Sequence, residues 1–152
     1  MNLLQAENLA VKLLKNHKLD DWEFRFDFAK RRFGCCSFHR KTISLSRYLT
    51  ELNPEAVVKN TILHEIAHAL VGKSHNHDKV WKAQMVELGC KPQRCYSHSE
   101  VIIPSGKYTA VCRNCQKSFQ AARKRRVACS ECCRKYNRGK YSEEFRIDFT
   151  AN

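Results

Sequence analysis

The stretch His64-Glu65-Ile66-Ala67-His68 constrains this chain more than any other. Two imidazoles four residues apart share a face on a helix, so a helical segment lets both reach one ion while the neighbouring carboxylate reaches a water on it. This HExxH spacing implies zinc-hydrolase chemistry: His64 and His68 as metal ligands, with Glu65 taking the proton from an attacking water. The flanking Thr61-Ile62-Leu63 and Ala67, Ala69 and Leu70 make the helix largely apolar. Three polar groups buried there without a role would be costly. The helix is expected to open with Asn53 as N-cap, Pro54 at the first helical position and Glu55 in the first turn. Gly72 is expected to end it after Val71.

Two histidines seldom hold a catalytic zinc alone, since such sites use three protein ligands and leave one position for water. The third ligand is sought downstream, in GKSHNHDKVW, where His75 and His77 are the candidates. Metzincin spacing would need histidine at 74, where this chain has Ser74.

A second metal pattern lies in the C-terminal third. Cys112-x2-Cys115 and Cys129-x2-Cys132 are separated by 13 residues. Such knuckles predict a closed four-thiolate zinc site of structural role. Cys133 is the alternative to Cys132. The total of nine cysteines is odd, and metal binding in a reducing compartment fits it better than a disulfide scaffold. Cys35, Cys36, Cys90 and Cys95 are read as thiols without an assigned role.

Charge separates the two parts. The 152 residues carry a formal net charge of +13, and residues 104–152 hold 12 Lys and Arg against 4 Asp and Glu. The insert between the knuckles, QKSFQAARKRRVA, places Arg123, Lys124, Arg125 and Arg126 with Phe119 on one expected hairpin. Cations beside a stacking aromatic could serve the phosphates and bases of a nucleic acid, and a solvated hairpin tip is the alternative. The start of the chain lacks a secretory signal pattern, and no apolar run approaches transmembrane length. The expectation is an intracellular protein without membrane association, cytoplasmic or nucleoid-associated, or nuclear in a eukaryote.

Periodicity outlines the rest. Residues 3–15 have helical spacing of leucine and alanine. Trp22 to Phe28 alternates aromatic and charged residues, predicting a strand whose aromatics line the core. Residues 35–45 predict a second and a third strand of one short antiparallel sheet. Residues 81–89 predict another helix, and 90–107 a linker with Pro92, Pro104 and Gly106.

HEIAHAL followed by His77-Asp78-Lys79-Val80-Trp81 resembles the SprT-like metalloprotease family, in which the third histidine precedes an aromatic residue by four positions. GCCSFHRKTISLSRYL, residues 34–49, is also similar to the strand before the active helix in that family. The resemblance implies His77 as third ligand and Trp81 as the aromatic. It implies a zinc metalloendopeptidase whose substrate is protein and, for relatives of the Spartan type, protein crosslinked to DNA, so that DNA, single-stranded or crosslink-containing, is the expected partner of the basic module. The expected fold is α+β: a small zincin-like metalloprotease domain in residues 1–100, a four-cysteine zinc ribbon in 107–137, and a tail or added strand in 138–152. One catalytic and one structural zinc are expected. A non-catalytic zinc-ribbon binding protein with an inactive HExxH site is the alternative.

Overall fold

The structure is a computed structural model that describes residues 1–93 and 100–152. Cys95 and part of the expected linker lie outside the described residues. The chain divides into two compact units, Met1–Pro104 and Ser105–Asn152.

The first unit begins with helix α1 (Leu3–Asn16), capped by the Asn2 side chain, which accepts from the Gln5 N–H. Ala6, Ala10, Leu13 and Leu14 make its buried face. Strands β1 (Glu23–Asp27), β2 (Gly34–Ser37) and β3 (Thr42–Ser46) form a sheet in the order β1-β3-β2. The sheet is mixed rather than antiparallel: β2 and β3 form an antiparallel hairpin, but β1 lies parallel to β3. The reason is topological. Residues 28–33 carry the chain past the β3 position to the far edge, and the hairpin then returns β3 to the centre in the direction of β1.

The strand alternation also stops earlier than expected. Trp22, Phe24 and Phe26 pack against the core, whereas Phe28 is 69% exposed. Asp27 ends the strand, because its carboxylate accepts the Ala29 N–H at 2.9 Å and turns the chain.

After the short helix α2 (Arg47–Leu52), helix α3 (Glu55–Val71) crosses the sheet and buries Val58, Ile62, Leu63 and Ile66. Burial of side chains of this size contributes about 1.5–3 kcal/mol each. Asn53 does not cap α3, which starts one residue later than predicted after Pro54 and has no side-chain cap. Buried Asn53 instead donates to the carbonyls of Leu49 and Ile102, both at 2.8 Å, and accepts the Ile102 N–H at 2.7 Å. Ile102 and the buried Val101 thereby belong to the first unit, although their segment reads as linker in the sequence. Gly72, at φ 87°, ends α3, and α4 (Lys79–Glu87) follows, capped by Asp78.

The second unit is a three-stranded antiparallel sheet in the order β5-β4-β6, built from β4 (Tyr108–Cys112), β5 (Ser118–Ala121) and β6 (Ile147–Ala151), with the short helix α5 (Ser130–Tyr136). The C-terminal tail thus supplies a strand beside β4. The turn between β4 and β5 is the first cysteine knuckle itself, so Phe119 sits on a strand while Arg123–Arg126 occupy the loop after it. Among the described residues no helix is long and apolar enough to cross a membrane.

Candidate metal centres

Helix α3 presents His64 and His68 one turn apart, and the loop after Gly72 returns His77 to them. The His77 Nε2 lies 3.1 Å from both the His64 Nε2 and the His68 Nε2. Zinc–nitrogen bonds of 2.0–2.1 Å in tetrahedral geometry put ligand nitrogens about 3.3 Å apart, so the three rings fit one ion. Their electrostatics agree. Burial, then the charges of His68 and His77, hold His64 down to about 4. Burial and His77 also lower His68, against the main chain of His75, which favours its protonated form. Neutral rings leave lone pairs free for a metal.

His75 therefore acts through its backbone. With the His68 Nε2 directed at His77, Nδ1 is the atom left to donate to the His75 carbonyl, and such a bond fixes ring and tautomer. The His75 side chain pairs instead with Asp78 at 2.8 Å. Trp81 packs against all three imidazoles, stacked on His68 at 5.3 Å and edge-on to His64 and His77 at 4.7 and 4.6 Å. Its ring is fully buried and its Nε1–H has no partner among the described residues. Packing against the histidines offsets the cost, about 1–3 kcal/mol, of that unpaired group.

Glu65 is 7% exposed. Burial raises its carboxyl to about 7, opposed by the Arg32 charge and by the Cys36 backbone N–H, which donates to it. The carboxylate lies on β2 at Gly34, where a Cβ would stand 2.5 Å from Glu65 Oε1 and 2.8 Å from its Cγ. Sequence reasoning missed Gly34, Cys36 and Arg32. The one available signal was a glycine at the start of a predicted strand, which marks close approach by another group. The Cys36 thiol is pushed up to about 12 by burial, with the charges of Glu65 and Cys35 adding, so it stays protonated beside the site.

In the second unit the four thiols of Cys112, Cys115, Cys129 and Cys132 gather within 4.8 Å of one another. The Cys112–Cys132 and Cys115–Cys129 sulfur separations are both 3.9 Å. Tetrahedral zinc with bonds of 2.3 Å separates sulfurs by about 3.8 Å, so this set also fits. Burial raises the Cys112 thiol, but the backbone N–H groups of Cys115 and Asn114 outweigh it and bring it down to about 7. For Cys132 the Asn114 side chain is outweighed by burial and the bonds from Cys115, Cys129 and Cys112, which push it up to about 12, so without metal the cluster shares its protons. Cys133 is buried next to Phe145 and lies outside the cluster.

Phe119 and Arg123–Arg126 are exposed, yet they do not form one free patch. Lys124 lies over the Tyr108 ring at 5.3 Å, and Arg126 pairs with Glu143 at 3.5 Å.

The sequence pattern of the SprT-like family matches residues 5–100. The chain belongs to the SprT-like family. The match spans His64, Glu65, His68 and His77 and ends before the four clustered cysteines. Protein SprT from Glaesserella parasuis serovar 5 (strain SH0165) is 28% identical over 114 residues, covering 67% of this chain and 73% of that protein. Among solved structures, the metallopeptidase zymogen jannalysin of Methanocaldococcus jannaschii is similar at a TM-score of 0.48 and 22% identity, covering 62% of this chain and 85% of that one.

Proposed function

We propose that this SprT-like chain is a zinc-dependent endopeptidase with one catalytic ion on His64, His68 and His77 and one structural ion on Cys112, Cys115, Cys129 and Cys132. The observation that carries the reading is the convergence of three imidazoles beside one buried carboxylate. Zinc held there supplies Lewis acidity, polarising the scissile carbonyl and acidifying water. Glu65, buried one residue from His64, is placed to accept a proton from the attacking water and return it to the leaving amine. The Cys36 N–H and the bare Cα of Gly34 hold the carboxylate in one place while it does so. Trp81 fixes the three rings and excludes water behind them. The four-thiolate site leaves no open position, and its role is to hold the second unit together.

The finer reading is that the substrates are proteins bound or crosslinked to DNA. Exposed Phe119, Arg123 and Arg125 support it, with Lys124 and Arg126 tethered close by. So does the register of the second sheet, which sets Phe119 and Phe149 on either side of Ala110. Aromatics flanked by cations are what single strands bind. The test is cleavage of a DNA-binding protein by the zinc-loaded chain with and without single-stranded DNA. Cleavage that rises with DNA supports the reading, and equal cleavage in both removes DNA from it.

A further inference from the structure

The first unit carries an exposed aromatic and cationic notch that the chemistry above does not use. Phe28 is 69% exposed, yet its loop is firmly held. The Asp27 carboxylate accepts from the Ala29 N–H at 2.9 Å, and from Arg32 and the Ser44 hydroxyl at 2.8 Å each. The Ser46 hydroxyl donates to the Ala29 carbonyl, and the Ser46 N–H donates to the Phe33 carbonyl at 2.7 Å. Phe28 is therefore displayed by a fixed backbone. Tyr48 faces it with ring centroids 6.2 Å apart and planes at 61°. The Arg47 guanidinium lies 5.8 Å from the Phe28 ring, and the Lys30 ammonium 5.6 Å from the Tyr48 ring. Two tilted rings thus form a notch with a cation against each.

We infer that this notch is a substrate subsite for an acidic polypeptide segment bearing a large apolar or aromatic side chain. The inference rests on the peptidase reading above and names the class of substrate it favours. Position is the first argument. The same loop carries Arg32, whose charge acts on Glu65, and runs into Gly34, against which Glu65 packs. The loop that displays the notch thus continues into the strand against which the carboxylate packs. Shape is the second. Successive bases of a single strand stack nearly parallel, and rings 61° apart cannot both serve them. A wedge between two tilted rings takes one side chain, and the exposed cations at its rim attract carboxylates, as Arg47 already attracts Glu51 at 3.9 Å.

Binding is measured by fluorescence anisotropy on the full Glu65→Gln chain, which would hold a peptide without cutting it. The probes are a labelled peptide with phenylalanine followed by three glutamates, its counterpart with three lysines, and oligothymidylate. The acidic peptide is expected to bind roughly tenfold tighter than the lysine peptide, and Lys30→Glu/Arg47→Glu to reverse that order. Phe28→Ala, at an exposed position where the fold is insensitive, is expected to weaken the acidic peptide by roughly tenfold. Equal affinity for the two peptides, or an order that the charge-reversed variant leaves unchanged, overturns the inference. Oligothymidylate binding that these variants abolish, with no peptide preference, overturns it in favour of nucleic acid. Absence of turnover by the parent chain, with the peptide order intact, would refute the peptidase reading instead.

Discussion

Gly34→Ala tests how the catalytic carboxylate is held. Gly34 does not have a positive φ, so alanine adds a methyl group without backbone strain. That methyl would stand 2.5 Å from Glu65 Oε1, 2.8 Å from Cγ and 2.9 Å from Cδ, where ordinary contacts begin at 3.4 Å. The carboxylate must therefore retreat by about 1 Å, a misplacement that can cost a reacting group roughly 100-fold in rate. Because Cγ and Cδ are crowded as well, some strain remains, and overpacking of this kind costs about 1–3 kcal/mol. The assay is kcat and KM on a peptide substrate, with thermal melts in the parent and Glu65→Ala backgrounds. We expect kcat to fall by roughly 100-fold with KM little changed. The loss in melting temperature should disappear in the Glu65→Ala background, which lacks every crowded atom. Parental kcat in Gly34→Ala, or the same melting loss in both backgrounds, would refute this reasoning.

His77→Ala should remove one zinc per chain by elemental analysis, while His75→Ala should leave the zinc content unchanged, because His75 contributes its carbonyl; equal losses would mean that the ligand assignment is wrong. Chelation, or Cys112→Ser, should unfold the second unit, whose 48 residues bury few apolar side chains, while α1–α4 keep their NMR dispersion. A second unit that stays folded without metal would contradict its structural role. Changing Arg123, Lys124, Arg125 and Arg126 to alanine should flatten the salt dependence of single-stranded DNA binding by about 0.7 in log–log slope per lost phosphate contact. Because Arg126 is already paired with Glu143, most of that change should follow from Arg123 and Arg125 alone. An unchanged slope would place the DNA contact elsewhere.

The sequence made visible what is encoded locally. The spacing of His64, Glu65 and His68 implies both a helix and a shared face, and the two Cys-x2-Cys knuckles imply a common centre because the spacing directs two thiols together, whether on the turn after β4 or on the first turn of α5. The α+β class followed from short alternating segments beside one strongly periodic helix and the largely apolar helix that carries HExxH. What escaped depends on contacts distant in sequence. Parallel pairing of β1 with β3 hinges on which edge the 28–33 loop reaches, and periodicity does not record that. Asn53 reads as a cap because asparagine before proline usually is one, yet Ile102, 49 residues away, claims its side chain. His75 and His77 are chemically equivalent in the sequence. Only the path of the loop turns one ring inward and leaves the other residue to serve the site with its carbonyl, as an acceptor. Phe28 continues a core alternation on paper, and a single Asp27 side chain reverses its fate.

The central claim is that Glu65 acts as a base beside a three-histidine zinc site. Its most direct test compares the parent chain with Glu65→Gln at matched zinc content and matched melting temperature, on an unstructured protein substrate followed by mass spectrometry. The account predicts new peptide termini from the parent and none above background from Glu65→Gln. Equal cleavage by both, or no cleavage by a parent chain carrying two zinc ions, would contradict it.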